Sequence, residues 1–170
     1  MNISGFGLIE LLKNKQNIIG LEIGCYAGVN ADNLLKCLPR LVLHGVDPYV
    51  PYCDWNGGHT LGENDTAEHQ AYEKLNKYGN RFILHKLTSD DAVDTFMDES
   101  FDFIFIDGLH TYEQVLNDCK NYYKKLKPNG LFSGHDYNVI SNVKKAVNEY
   151  AAEVKKKIEQ TETDVWYWYK

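Results

Sequence analysis

The chain has 170 residues, 44% of them hydrophobic and 25% charged, with a formal net charge of -6 at pH 7. That length and apolar content support one sizeable core and exclude a disordered chain, so residues 1–170 are read as a single domain. The acidic balance argues against nucleic acid held through its phosphates, and the absence of an 18-residue apolar run argues against a transmembrane helix or a membrane partner.

The opening "MNISGFGLIELLKNKQN" lacks a basic leader and a long apolar segment, so no signal peptide is expected. Phe6, Ile9, Leu11 and Leu12 suit a short amphipathic helix lying on the domain. "NIIGLEIG" (17–24) reads as a buried strand, and Asn33, Leu34, Leu35 and Leu38 follow with helical spacing until Pro39 ends the helix. "LVLHGVD" (41–47) predicts a second strand, 66–78 a helix, and "RFILHKL" (81–87) a third strand. "FDFIFID" (101–107) is apolar on both faces and predicts a fourth.

Thr111 followed by Gln114 matches a capping box. Val115, Cys119, Tyr123 and Leu126 recur at helical spacing, and Pro128, Asn129 and Gly130 end that helix. "LFSGHDY" (131–137) predicts a fifth strand, and Val143, Val147 and Tyr150 a further helix. The tail suggests a hairpin with Trp166 and Trp168 on one face and Val165, Tyr167 and Tyr169 on the other. The basic runs "KKLK" (124–127) and "KKK" (155–157) fit solvated faces. Cys25, Cys37, Cys53 and Cys119 are scattered without metal spacing, which suits a reduced, cytoplasmic setting.

Strands alternating with helices predict an α/β, doubly wound, mostly parallel sheet. Such sheets bind ligands beyond the carboxyl ends of their strands. Glu22, Gly24, Asp47, Asp107, His135 and Asp136 all fall at strand ends of this kind, with His110 on the turn that follows Asp107.

Glu22, Gly24 and Gly28 form an E-x-G-x-x-x-G pattern after the first strand. Tyr26 stands where a dinucleotide fold places a second glycine against a pyrophosphate, which disfavours a nicotinamide oxidoreductase but leaves backbone contacts open. Asp47 ends the second strand, where a carboxylate can take both hydroxyls of a ribose. The combination suits a nucleoside without phosphate. Glu22 capping nearby backbone is the plainer reading, and Cys25 reads as a small buried filler.

The segments "LEIGCYAG", "VDPY", "FIDGLHTYEQV", "LKPNGLFSGHDY" and "VKKAVNEY" together resemble the class I S-adenosyl-L-methionine-dependent methyltransferases, from about Gly20 to Tyr150. Within that fold the chain is most similar to the small O-methyltransferases that include macrocin-type sugar methyltransferases, with cephalosporin-hydroxylase-like proteins as relatives. The resemblance implies a Rossmann-like seven-stranded sheet in the order 3-2-1-4-5-7-6, the last strand antiparallel. It implies that Glu22, Gly24 and Gly28 surround the methionine part of the cofactor, with Tyr26 and Asp107 also among the cofactor-binding residues, that Asp47 holds the ribose, and that Tyr49 lies near the adenine. Ser89 and Asp90 would flank the adenine, with plain helix capping as the other reading.

In the implied order the fourth and fifth strands are neighbours, about 4.8 Å apart. Asp107 then comes close to His135 and Asp136, with His110 within reach. Methyl transfer to a hydroxyl needs a base or a metal ion to take or acidify the proton. Asp107, His135 and Asp136 form the expected set for a divalent ion, manganese suiting the histidine better than magnesium; without metal, His110 or His135 is the expected base.

The long loop 48–65 carries Tyr49, Tyr52, Trp55 and His59 around Gly57 and Gly58, and an aromatic lid over cofactor and acceptor is expected there. With no separate cap, the acceptor site is expected to be shallow or completed by a second subunit, which would make the protein a homo-oligomer. The expected activity is methylation of a hydroxyl of a small molecule such as a sugar. The alternative from another class is a cofactor-binding protein without turnover, acting through a partner.

Overall fold

The computed structural model describes residues 4–51 and 64–170. Its elements in chain order are α1 (Ser4–Leu12), β1 (Ile19–Ile23), α2 (Val29–Cys37), β2 (Val42–Val46), α3 (Asn64–Leu75), β3 (Phe82–His85), α4 (Ser89–Ala92), β4 (Phe101–Ile106), α5 (Tyr112–Tyr122), β5 (Leu126–Gly134), α6 (Ser141–Glu153), β6 (Glu159–Gln160) and β7 (Trp166–Tyr169). The expected lid residues Tyr52, Trp55 and His59, with Cys53, lie outside the described residues.

The strands form one seven-stranded sheet in the order β3-β2-β1-β4-β5-β7-β6, as expected. Strands β1 to β5 pair in parallel, and β7 runs antiparallel to β5 and to β6. The parallel strands are apolar on both faces because helices cover both. Along β4, Ile104 and Ile106 pack toward α5 and α6, whereas Phe103 and Phe105 pack toward α1, α2 and α3. The tail alternates in the same way: Trp166 and Trp168 join the first cluster, Val165 and Tyr167 the second. Full burial of each such side chain contributes about 1.5–3 kcal/mol.

Two boundaries differ from the sequence expectation. Helix α5 stops at Tyr122 and a 3-10 turn over Tyr123–Lys125 follows. Strand β5 begins at Leu126, before Pro128, not after Gly130. Phe101 pairs with Leu126 and Phe103 with Leu131, so residues 127–130 bulge out of the ladder. Proline has no N–H for a ladder and is tolerated at a bulge.

Candidate functional site

The carboxyl end of β1 turns tightly into α2. Gly24 takes φ +89°, and a Cβ there would stand 2.1 Å from the Asp107 carbonyl oxygen. Only glycine allows the ends of β1 and β4 to meet at that point. Gly28 takes φ +72° at the N-terminus of α2 and lies against Ala71 of α3. Both glycines of the pattern are therefore required by backbone geometry and packing.

Tyr26, between them, is a non-glycine residue in the left-handed region, with φ 43°. Asp47 holds it there. Its Oδ2 accepts the backbone N–H of Cys25 at 3.0 Å and of Tyr26 at 2.8 Å, and its Oδ1 accepts that of Tyr49 at 2.9 Å. The Tyr49 hydroxyl donates to the Tyr26 carbonyl at 2.9 Å. Tyr49 also has positive φ, 50°, and its ring is buried among α1, α2 and α3. Tyr49 thus shapes the turn from beneath, while the Tyr26 side chain is half exposed. Strained backbone of this kind persists where surrounding contacts over-determine it, and it gathers at ligand sites.

Glu22 faces α2 from the centre of this edge and is 1% exposed. Its Oε1 accepts from Asn30 Nδ2 at 2.7 Å, and among the described residues its buried Oε2 has no partner. Burial, reinforced by the charges of Asp107 and Asp47, pushes its pKa up to about 8. A cation placed beside a buried acid of this kind favours its charged form. Cys25 is buried and desolvation holds its thiol well above the ordinary range, which fits an inert filler.

Ser89 and Asp90 open α4, beyond the end of β3. Thr88 caps that helix, its side chain accepting from the Asp91 N–H. Ser89 and Asp90 are instead engaged by α5: Gln114 Nε2 donates to Ser89 Oγ at 3.0 Å and to Asp90 Oδ1 at 3.3 Å. Thr111 caps α5 and accepts from the Gln114 N–H at 3.3 Å, the first half of the expected capping box.

The ends of β4 and β5 converge on a group of acids and imidazoles. His110 Nε2 lies 3.1 Å from Asp136 Oδ2 and 3.7 Å from Asp107 Oδ1. His135 Nδ1 lies 2.9 Å from Asp136 Oδ1. All four side chains are partly buried, at 19–26% exposure. Asp136 has a left-handed φ of 60°, which turns its carboxylate between the two rings. Burial alone would raise the Asp136 pKa, but the hydrogen bonds and charges of His110 and His135 hold it well below the ordinary carboxylate range. Burial lowers the His135 pKa, yet its bond to Asp136 and the charges of Asp107 and Asp136 carry it upward on balance.

Ligand atoms of Asp107, His110 and Asp136 all lie within 4.8 Å of one another, a spacing that a single cation can bridge. This group takes in His110, whereas the set expected from the implied strand order was Asp107, His135 and Asp136. The turn after β4 folds His110 back over the strand end, and His135 sits on the far side of Asp136. Two carboxylates and one imidazole are a donor set suited to manganese and neighbouring ions.

A histidine pair near this edge is not apparent from the sequence. His44 Nδ1 and His85 Nε2 are 2.9 Å apart, with their rings stacked at 5.2 Å and Phe96 and Phe101 set edge-on against them. A signal for it exists: "LVLHG" and "FILHK" each place a histidine late in a strand, and those strands are neighbours in the sheet.

Residues 21–137, more than half of the chain, match a protein family described as a methyltransferase domain. An uncharacterized protein of Acanthamoeba polyphaga mimivirus is 28% identical over 159 residues, spanning 88% of this chain and 67% of that one. Among solved structures, the O-methyltransferase NovP superposes with a TM-score of 0.71 at 17% identity, over 98% of this chain and 77% of that one. A precorrin-6y C5,15-methyltransferase from Geobacter metallireducens superposes with a TM-score of 0.69 at 13% identity, over 92% and 72% respectively. At these identities the superpositions speak to the fold alone.

Proposed function

The chain belongs to this family of methyltransferase domains and is an S-adenosylmethionine-dependent methyltransferase; from that premise we propose that it methylates a hydroxyl of a small molecule, a sugar among the candidates, with a divalent ion held by Asp107, His110 and Asp136. The observation that carries the proposal is the convergence of those three side chains within 4.8 Å at the ends of β4 and β5, beside the turn that follows β1.

Bound S-adenosylmethionine supplies an electrophilic methyl group on a sulfonium sulfur. Glu22, a buried acid whose Oε2 has no hydrogen-bond partner among the described residues, supports this reading, because the cofactor's amino group is a cation. Gly24, Tyr26 and Gly28 shape the wall of the methionine end through backbone. Asp47 holds the turn and stands at the ribose end, and Ser89 and Asp90 flank the adenine. Tyr49 acts from below, through Tyr26.

A divalent ion at Asp107, His110 and Asp136 would make the acceptor hydroxyl more acidic. The two carboxylates fix the acceptor side of the site on adjacent strands, so the distance between cofactor and acceptor is set by the sheet itself. His135, oriented by Asp136, is the base that receives the hydroxyl proton. The contacts that raise its pKa above the ordinary imidazole value strengthen it as a proton acceptor.

The test is transfer of a labelled methyl group to a panel of hydroxylated small molecules, sugars and catechols included. The protein is assayed after chelation and again with manganese or magnesium restored. Transfer that depends on manganese supports the proposal. Transfer that is unaffected by chelation removes the metal from it, and methylation only of carbon or nitrogen acceptors removes the hydroxyl.

A further inference from the structure

The last two strands return the chain to the end of β5, where His135 and Asp136 stand. The turn between β6 and β7, over 161–165, is closed on itself. The Thr161 N–H donates to the Val165 carbonyl at 2.9 Å, and Thr161 Oγ1 accepts the N–H of Thr163 and of Val165, each at 3.3 Å. Asp164 sits in this turn with a left-handed φ of 59°, a conformation that Asp and Asn adopt more readily than other residues with a side chain. Its carboxylate reaches out of the hairpin to the loop that follows Asp136. Asp164 Oδ1 accepts the Asn138 N–H at 3.0 Å and Asn138 Nδ2 at 2.7 Å, and Oδ2 lies 3.3 Å from the same backbone nitrogen. Asn138 Nδ2 also donates to Gln160 Oε1 of β6 at 2.6 Å.

The same hairpin grips the chain on the other side of Asp136. Trp166 is fully buried, and its Nε1 donates to the His135 carbonyl at 3.2 Å. Its ring lies against Gly134, where a Cβ would stand 2.4 Å from it. His135 and Asp136 are thus held between two contacts to one hairpin, at the His135 carbonyl and at Asn138. Between those contacts lies a residue that needs holding, because Asp136 is itself left-handed, with φ 60°. Such backbone is unfavourable outside glycine and persists where its surroundings over-determine it. The Ile140 N–H closes the turn from the far side, donating to the Asp136 carbonyl at 3.0 Å. This turn sets one Asp136 oxygen toward His110 and the other toward His135. Packing accounts for Trp166, which belongs to the apolar core. It does not account for Asp164, which is partly exposed and whose carboxylate accepts, among the described residues, only from Asn138.

We propose that Asp164 is a positioning residue: by holding Asn138 it fixes the left-handed turn at Asp136, and with it the orientation of the Asp136 carboxylate between His110 and His135. Its bearing on methyl transfer rests on the function proposed above, in which Asp136 helps to hold the ion and orients the base. Groups that orient a metal ligand from behind typically carry about 10–100-fold in metal affinity or activity. The β6–β7 hairpin therefore contributes to the site without placing a side chain in it.

Two variants separate the carboxylate from the backbone. Glycine and asparagine both accept a left-handed φ, so Asp164→Gly removes the acceptor without straining the turn, and Asp164→Asn keeps an oxygen where Oδ1 meets both Asn138 donors. The experiment records the imidazole ring signals of the metal-free full chain by NMR and then titrates the chain with manganese in a calorimeter. Asp164→Gly is expected to move the ring signals of His110 and His135, to leave those of His44 and His85 in place, and to weaken manganese binding roughly 10–100-fold. Asp164→Asn is expected to restore both readouts. Asn138→Ala, which removes the side-chain half of the contact, is expected to move the same two sets of signals and serves if Asp164→Gly does not fold. A role confined to hairpin stability would lower the melting temperature and leave the His110 and His135 signals unmoved, which overturns the proposal. Equal movement in Asp164→Asn and Asp164→Gly also overturns it. A wild type that binds no manganese overturns the ion assigned above, and the ring signals then decide the role of Asp164 by themselves.

Discussion

His110 Nε2 stands 3.1 Å from Asp136 Oδ2, so an imidazole from the turn after β4 is paired with a carboxylate from the end of β5. That contact closes the group formed with Asp107, 3.7 Å away. Asp136 is the pivot, since His135 also bonds to it, through the other oxygen.

Asp136→Asn is expected to reduce methyl transfer by roughly 10²–10⁴-fold, the usual range for losing a group that sets up proton transfer. Affinity for S-adenosylhomocysteine should change less than threefold if Asp136 serves the acceptor side as proposed. Steady-state kinetics and calorimetry on the same preparation check both halves. A parallel loss of cofactor binding would contradict the division of the site.

Glu22 links protonation to stability and to binding. Its pKa is raised from 4.5 to about 8 in the folded chain. The folded state therefore holds this proton more tightly than the unfolded state. The associated stability is complete below the unfolded value and is lost as pH rises through the folded one. Each tenfold difference in proton affinity between the two states corresponds to about 1.4 kcal/mol. Glu22→Gln is expected to flatten this loss between pH 5 and 8, as read by urea unfolding at several pH values, and to weaken cofactor binding. In the wild type, cofactor binding at pH 7 should release a proton, seen as a dependence of the binding enthalpy on the buffer's ionisation enthalpy.

Gly24→Ala is expected to destabilise the chain by several kcal/mol. The new Cβ would stand 2.1 Å from the Asp107 carbonyl oxygen, which is backbone and cannot swing aside, and the residue would keep φ +89°. Chemical denaturation measures the loss. A change below about 1 kcal/mol would show that the ends of β1 and β4 are less tightly joined than described.

The His44–His85 pair makes stability depend on acid. Burial lowers the pKa of both rings, and for His44 the charge of His85 adds to the effect. Their contribution is present above the unfolded value near 6.5 and is lost as pH falls through the lower folded values. Over pH 7 to 5 this loss opposes the stability that Glu22 gains, so the pair is read from the difference between the wild type and a variant. The melting temperature of His85→Gln, which cannot become charged, should fall less, or rise more, than that of the wild type over the same interval.

Much of the fold was legible in the sequence because each strand is a short apolar run that ends in a polar residue and is followed by helical spacing. The strand order came through the family resemblance. The start of β5 was not legible: Pro128, Asn129 and Gly130 look like a loop, and only pairing with β4 reveals a strand that bulges around them. In the site, the strand-end positions of Glu22, Asp47, Asp107 and Asp136 followed from the pattern. Their partners did not. Whether His110 or His135 completes the group depends on how one turn folds back. The three backbone N–H groups gathered by Asp47 depend on left-handed conformations at Tyr26 and Tyr49 that side-chain chemistry does not announce. Gln114 reads as a capping residue along the chain, and its reach to Ser89 and Asp90 requires α5 to lie across α4.

The carboxyl edge of this sheet is proposed to hold S-adenosylmethionine beside a divalent ion. Calorimetric titration of the wild-type chain with S-adenosylhomocysteine, after chelation and again with manganese, tests it most directly. Micromolar binding of S-adenosylhomocysteine is expected in both conditions, together with a separate manganese isotherm that Asp136→Asn abolishes. Absence of S-adenosylhomocysteine binding in either condition would contradict it, and the residues at the strand ends would then belong to another ligand.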